Sequence, residues 1–248
     1  MALEGKSIVF GLLAMLAGAG GAVAVSTARN EPVNTTDRAA IETVVREYIL
    51  SHPEILPEAM QNLQDRDMKK VVDANRKAIE TPFAGAWEGA ADADVTLVQF
   101  FDYACTYCRA SRPDVERLLG EDKKLKVVYR ELPILGPDSL IAARASLAVA
   151  SQGNYMAFHH YIYATPGHPN VQVVAAAIAK AGANADKVRA DAKGQAVSSE
   201  IAANMELQHQ LQLTGTPGWV VGDRVINGAV GYDDLKKAIA DARAPRGG

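Results

Sequence analysis

Apolar residues recur at three- and four-residue steps early in the chain, at Ile41, Val44, Val45, Tyr48 and Ile49, and mark one stripe of a helix running from about Thr36. Ser51-His52-Pro53-Glu54 then has the spacing of a capping box with proline in the first turn, so a second helix begins there. Its apolar face continues through Ile55, Ala59 and Leu63, while Asp65, Arg66, Asp67, Lys69 and Lys70 are solvated, and the pattern lasts to Glu80. So narrow a stripe calls for cover, either from a second copy of the chain or from the chain's own body. Thr81-Pro82 and the run from Gly85 to Ala90 break the helix and read as a connector.

Val95-Thr96-Leu97-Val98-Gln99-Phe100-Phe101 is nearly all apolar or β-branched and reads as a central strand buried on both faces. Asp102-Tyr103-Ala104 ends it, Cys105-Thr106-Tyr107-Cys108 opens a helix to about Leu119, and Leu125 to Glu131 is a second strand. This is a strand-helix-strand unit, hence an α/β protein. From Asp138 to Leu213 the sequence is helical and alanine-rich, an insertion in which Asp138 or Ser139 caps the first helix. Two short strands follow, Trp219 to Val221 and Arg224 to Ile226, joined by the hairpin signal Gly222-Asp223, and a last helix starts at Tyr232 or Asp233.

The preceding thirty residues change where this body resides. Lys6 stands before an apolar run over residues 8–25, and Ala22-Val23-Ala24 is a small-residue cleavage candidate, so residues 1–28 read as a signal peptide or an inner-membrane anchor. Residues 29–80 are then an N-terminal helical region with a self-association face, and 81–245 the main domain. The location is periplasmic or otherwise extracytoplasmic. A formal net charge of −3 and the lack of a basic stripe give no argument for nucleic acid.

The chain has only two cysteines, which excludes a disulfide-stapled scaffold and a four-cysteine zinc site. A CxxC at the start of a helix after a buried strand places the first thiol where unpaired N–H groups and the helix dipole favour a negative charge. Cys105 is therefore the candidate attacking thiolate and Cys108 the resolving thiol, with Thr106 and Tyr107 between them facing a substrate. Asp102 could raise the Cys105 pKa by like-charge repulsion or simply cap the strand end. Glu131 could be a buried carboxylate serving Cys108 or a surface group. No metal or cofactor site is expected; His159 and His160 read as one buried and one exposed position of a helix.

With FFDYACTYC between strand and helix, the helical insertion, and the late Gly215-Thr216-Pro217 loop before a hairpin and a terminal helix, residues of about 38–242 resemble the DsbA family of periplasmic thiol-disulfide oxidoreductases. The segment VREYILSHPEILPEAMQNLQ resembles the N-terminal region of its copper-sensitivity suppressor (ScsC-type) branch. The resemblance implies a thioredoxin-like fold with a helical insertion, preceded by an N-terminal helical extension. It also implies a cis Thr216-Pro217 peptide facing the cysteines, where Thr216 and Pro217 would bind an extended substrate strand. Strongly oxidising members carry Pro-His between the cysteines; Thr106-Tyr107 resembles the isomerase and reductase branches instead. The expected partners are unfolded or misoxidised exported proteins and a membrane redox protein. Two other classes stay open: a thiol protein that holds Cu(I) for metal tolerance, and an assembly protein whose working part is residues 36–80.

Overall fold

The computed structural model describes residues 35–244; the leader over residues 1–28 lies outside them. The chain divides into two compact units after Ala59. The first contains α1 (Thr35–Ser51) and the start of α2 (Ile55–Glu80). On α1 the stripe read from the sequence is exposed at Ile41, Val44, Val45 and Tyr48, and Leu50 is exposed on the opposite side of the helix. The His52 ring lies 4.6 Å from that of Tyr48 and its Nδ1 is 3.2 Å from Glu54, so the Ser-His-Pro-Glu segment forms a turn and α2 starts two residues later than the capping pattern suggests.

The second unit is built on a five-stranded mixed sheet in the order β1-β3-β2-β4-β5, comprising β1 (Trp87–Gly89), β2 (Val95–Phe101), β3 (Leu125–Glu131), β4 (Gly218–Val221) and β5 (Arg224–Asn227). β2 and β3 are parallel, from Val95 opposite Leu125 to Phe101 opposite Glu131. The other pairs, β1 with β3, β2 with β4 and β4 with β5, are antiparallel. Side chains alternate across β2. Leu97 and Phe101 join one core with Val127, Tyr129, Trp219 and the helices on that side. Val98 and Phe100 join the other with Val128, Val220, Leu207 and Leu211. Burial on both faces explains why the strand reads as an unbroken apolar run rather than an alternation.

Val72 and Ile79 of α2 lie in this second core. The last turns of α2 therefore belong to the sheet domain, and the compact unit begins at Met60 rather than at residue 81. The connector also hides β1, which a three-residue glycine-containing strand does not announce. Gly89 takes φ +99°, and a Cβ there would collide with the Leu125 carbonyl.

The helix after the cysteines is two helices, α3 (Thr106–Ala110) and α4 (Arg112–Glu121), with Ser111 between them. Pro113 lacks the N–H that would bond the Arg109 carbonyl, which breaks the run. The insertion comprises α5 (Pro137–Ala150), α6 (Tyr155–Ala164), α7 (Val171–Lys180), α8 (Ala185–Asp191) and α9 (Gln195–Gln210), and α10 (Tyr232–Arg243) closes the chain. Neither Asp138 nor Ser139 caps α5. Gly136 is its N-cap residue, with Pro137 in the first turn, and Ser139 is buried without a hydrogen-bond partner.

Arg130 on β3 fixes the end of α2 to the sheet. Its guanidinium is buried and donates to the carbonyls of Ala78, Ile79 (3.1 Å) and Thr81 (2.5 Å), where a helix end leaves acceptors unpaired, and to Glu200 at 2.7 Å. Removing one partner of a buried charge pair costs about 3–5 kcal/mol. Arg130→Met should lower the unfolding free energy by an amount in that range, read in equilibrium unfolding as a lower urea midpoint at unchanged slope.

Candidate active site

The parallel β2-β3 pair ends at Phe101 and Glu131, so the chain leaving β2 turns at the sheet edge into the cysteine motif. Cys105 is the N-cap residue of α3, with extended backbone angles, and its Sγ accepts from the N–H of Cys108 at 3.3 Å. A sulfur thus holds the place that serine or aspartate usually takes at a helix start. Both cysteines are free thiols and both are buried, Cys105 at 5% and Cys108 at 1% exposure. The antiparallel β2-β4 register, Phe100 opposite Gly218, brings the preceding loop across from the motif. The Thr216-Pro217 peptide is cis, and the Cys105 thiol donates to the Thr216 carbonyl at 3.2 Å. Tyr107 is 66% exposed at the tip of the motif, and Thr106 beside it is also exposed.

The two thiols are driven in opposite directions. The Cys105 pKa is lowered from 9.0 to about 6, chiefly because the Cys108 thiol donates to its thiolate. Burial opposes this, and the Thr216 side chain and the N–H groups of Cys108 and Tyr107 reinforce it. Thr216 therefore acts on both forms: its carbonyl accepts from the thiol and its side chain favours the thiolate. With α3 only five residues long, these local donors rather than a long helix dipole carry the effect. Burial, then the neighbouring Cys105, push the Cys108 thiol far up.

Asp102 is not among the chief causes of the Cys105 shift, which is downward. It is buried, and its carboxylate accepts from three backbone N–H groups, those of Ala104 (2.8 Å), Ile134 (2.8 Å) and Leu135 (2.9 Å). Glu131 is buried rather than at the surface, and neither carboxylate oxygen has a hydrogen-bond partner. Burial pushes its carboxyl well above the usual range, with Asp102 adding repulsion. Beside it the Tyr103 hydroxyl meets Ser146 Oγ at 2.9 Å and His159 Nδ1 at 3.0 Å, His159 Nε2 is left without a partner, and Ser146 and Tyr103 pull the Glu131 pKa back down against burial. His159 is buried and His160 exposed, as their positions on one helix suggest.

Arg109, which the sequence reading passed over, follows Cys108 and donates to the carbonyls of Ile162 (3.1 Å), Tyr163 and Thr165 (2.9 Å) at the end of α6. It ties the cysteine turn to the helical insertion. The only sequence signal for it is its place directly after the motif. Among the described residues no group of three or more His, Cys, Asp or Glu side chains is arranged to hold a metal ion.

The DSBA-like thioredoxin domain matches residues 96–240, more than half of the chain. The chain belongs to this family. The copper resistance protein ScsC N-terminal domain matches residues 37–70. Among solved structures, a thioredoxin-like oxidoreductase from Silicibacter pomeroyi DSS-3 is 38% identical with a TM-score of 0.65, covering 68% of this chain and 98% of its own. Proteus mirabilis ScsC in a transitional conformation is 27% identical with a TM-score of 0.64, covering 86% of this chain and 98% of its own. A Na(+)/H(+) antiporter NhaA 1 of Salinispora arenicola is 26% identical over 158 residues, 63% of this chain and 24% of that protein. The chain spans about a quarter of the length of the curated antiporters it matches. The family match spans Cys105, Cys108 and the Thr216-Pro217 loop, so both thiols and the facing cis peptide lie within the DSBA-like domain.

A thiol whose folded pKa is depressed stabilises the reduced fold above its unfolded value and loses that contribution as pH falls through the folded value. The reduced protein should therefore show a thiolate absorbance step near pH 6 that Cys105→Ser abolishes. Its stability to urea should rise between pH 6 and 9 relative to the same variant.

Proposed function

We propose that this chain reduces and reshuffles wrong disulfides in exported proteins, with Cys105 as nucleophile and Cys108 as resolving thiol. The observation that supports this most is the split between the two thiols, one lowered to about 6 and its buried neighbour raised. At neutral pH the Cys105 thiolate attacks a substrate disulfide, forming a mixed disulfide and expelling a substrate thiolate. The released thiolate can attack a second substrate disulfide, and the thiolate expelled there then attacks the substrate sulfur of the mixed disulfide, which frees Cys105 with no net redox change. Alternatively Cys108 loses its proton, attacks Cys105 Sγ, and releases reduced substrate as the Cys105-Cys108 disulfide forms. A resolving thiol that gives up its proton reluctantly prolongs the mixed disulfide, which favours reshuffling. Glu131 is the buried carboxyl proposed to exchange that proton, and a membrane redox protein would return the oxidised pair to dithiol.

Thr216 and Pro217 form the facing wall, whose backbone would pair with an extended substrate strand, and Tyr107 and Thr106 flank it. The apolar stripe on α1 supplies self-association, which would bring several such sites to one substrate. The apolar run over residues 8–25, read as a leader, supports a location outside the cytoplasm, with the periplasm as the compartment.

Scrambled ribonuclease incubated with the reduced protein should regain activity. Cys105→Ala should be inert, and Cys108→Ala should accumulate a trapped mixed disulfide; equal recovery with and without Cys105 would remove the catalytic reading. For self-association, light scattering should give a mass above one chain for the wild type and a single-chain mass for Val44→Asp. A single-chain mass for both would refute the role given to α1.

A further inference from the structure

The backbone that faces Cys105 is held between two anchors, and both come from Asn227 and Gly228, where β5 ends. Gly218 opposite Asn227 is the last pair of the β4-β5 ladder. One step beyond it the Gly228 N–H donates to the Pro217 carbonyl at 2.9 Å. Proline has no N–H to return, so the ladder cannot hold the residues that precede it. The Asn227 side chain takes over there. Its Oδ1 accepts from the Thr214 N–H at 2.9 Å and lies 3.4 Å from the Thr214 hydroxyl, and its Nδ2 donates to the Gln212 carbonyl at 3.4 Å. Between the Thr214 and Pro217 anchors lie Gly215 and Thr216, and the Thr216 carbonyl accepts from the Cys105 thiol at 3.2 Å.

The other side of this clasp is the end of α9. The Gln212 N–H donates to the His209 carbonyl and the Leu213 N–H to the Gln208 carbonyl, a Schellman ending in which Gln212 takes φ +53°. The Gln208 side chain donates to the Leu213 carbonyl at 2.7 Å, so the chain enters the loop from a fixed point. Asparagine is a poor strand residue, and Asn227 is exposed, so neither sheet preference nor burial accounts for its place. The clasp does: a backbone N–H on one side and a carbonyl on the other call for one acceptor and one donor on the same short group, which a primary amide supplies. We propose that Asn227 is a positioning residue whose side-chain amide sets the Thr216 backbone against Cys105 and so readies it for an extended substrate strand. This rests on the thiol-disulfide reading and on the wall role given to Thr216 above. A wall fixed before the substrate arrives spares the cost of ordering Gly215 and Thr216 on binding. Asn227 thereby acts on the capture of a peptide backbone, a step separable from attack by Cys105 Sγ.

The test compares reduction of a disulfide-linked peptide dimer with that of hydroxyethyl disulfide, which has no amides to pair with Thr216. In Asn227→Ala the peptide-to-hydroxyethyl ratio of kcat/KM should fall about tenfold, the scale of one or two lost hydrogen bonds, with the loss in KM for the peptide. Taking the ratio cancels any change in the Cys105 thiolate itself. Asn227→Asp keeps the acceptor for Thr214 and gives up the weaker contact to Gln212, so it should stay within about threefold of the wild-type ratio. Where Asn227→Ala does not fold, Asn227→Ser, whose hydroxyl is too short to span both loop groups, should show the same loss. An unmoved ratio in the alanine or serine variant, or an equal loss on both substrates, overturns the positioning role. So does an aspartate variant as impaired as alanine, because the Thr214 contact then carries nothing. A wild type silent on both substrates overturns the redox reading, and the positioning role with it; a wild type active on both with an unmoved variant ratio leaves that reading standing and removes Asn227 alone.

Discussion

The site depends on one constraint, the register in which β2 pairs with β3 on one side and β4 on the other. The parallel β2-β3 pair carries both chains to the same edge of the sheet, so the turn after Phe101 and the loop after Glu131 emerge side by side. The antiparallel β4, entered from the opposite direction, must begin at that same edge, and the residues before it are Thr216 and Pro217. A slip of one residue would turn every β2 side chain to the other face and move Cys105 out of line with the Thr216 carbonyl. Two cores, one on each face of β2, hold that register.

With the backbone so placed, burial and hydrogen bonding divide labour between two chemically identical thiols. Cys105 lies at a helix start, where N–H groups and the Cys108 thiol point at its sulfur, while Cys108 is enclosed one turn further in. The same sheet edge buries two carboxylates with opposite treatment. Asp102 receives three N–H donors, whereas Glu131, one strand over, receives none and is held neutral by burial. Arginines then fasten the surrounding helices: Arg130 takes the carbonyl end of α2 and Arg109 that of α6. In both cases a cation meets the acceptor-rich end of a helix, which is where the dipole favours it.

Much of this was legible in the chain. The bounds of β2 and β3 follow from their apolar and β-branched runs, because a strand covered on both faces needs such residues at every position. The CxxC motif and the hairpin at Gly222-Asp223 follow from local chemistry that acts over a few residues, whereas the cis Thr216-Pro217 wall came from the family resemblance. The exposed stripe of α1 follows from helical periodicity. Apart from that wall, these features depend on spacing alone, which a sequence states directly.

What only the tertiary structure decided are the pairings between residues far apart in the chain. β1 is a strand because β3 lends it a partner, and its own three residues carry little β preference. The end of α2 belongs to the sheet domain because Val72 and Ile79 find the core and Arg130 finds its carbonyls. Asp102 could have acted on Cys105 or capped the strand end; the fold gives its carboxylate the N–H groups of Ala104 and of the loop after β3. Glu131 could have faced solvent or the interior, and the helical insertion packed over it. The sequence thus determined which residues could react, whereas the fold, through burial and long-range hydrogen bonds, decided the charge and partner of each.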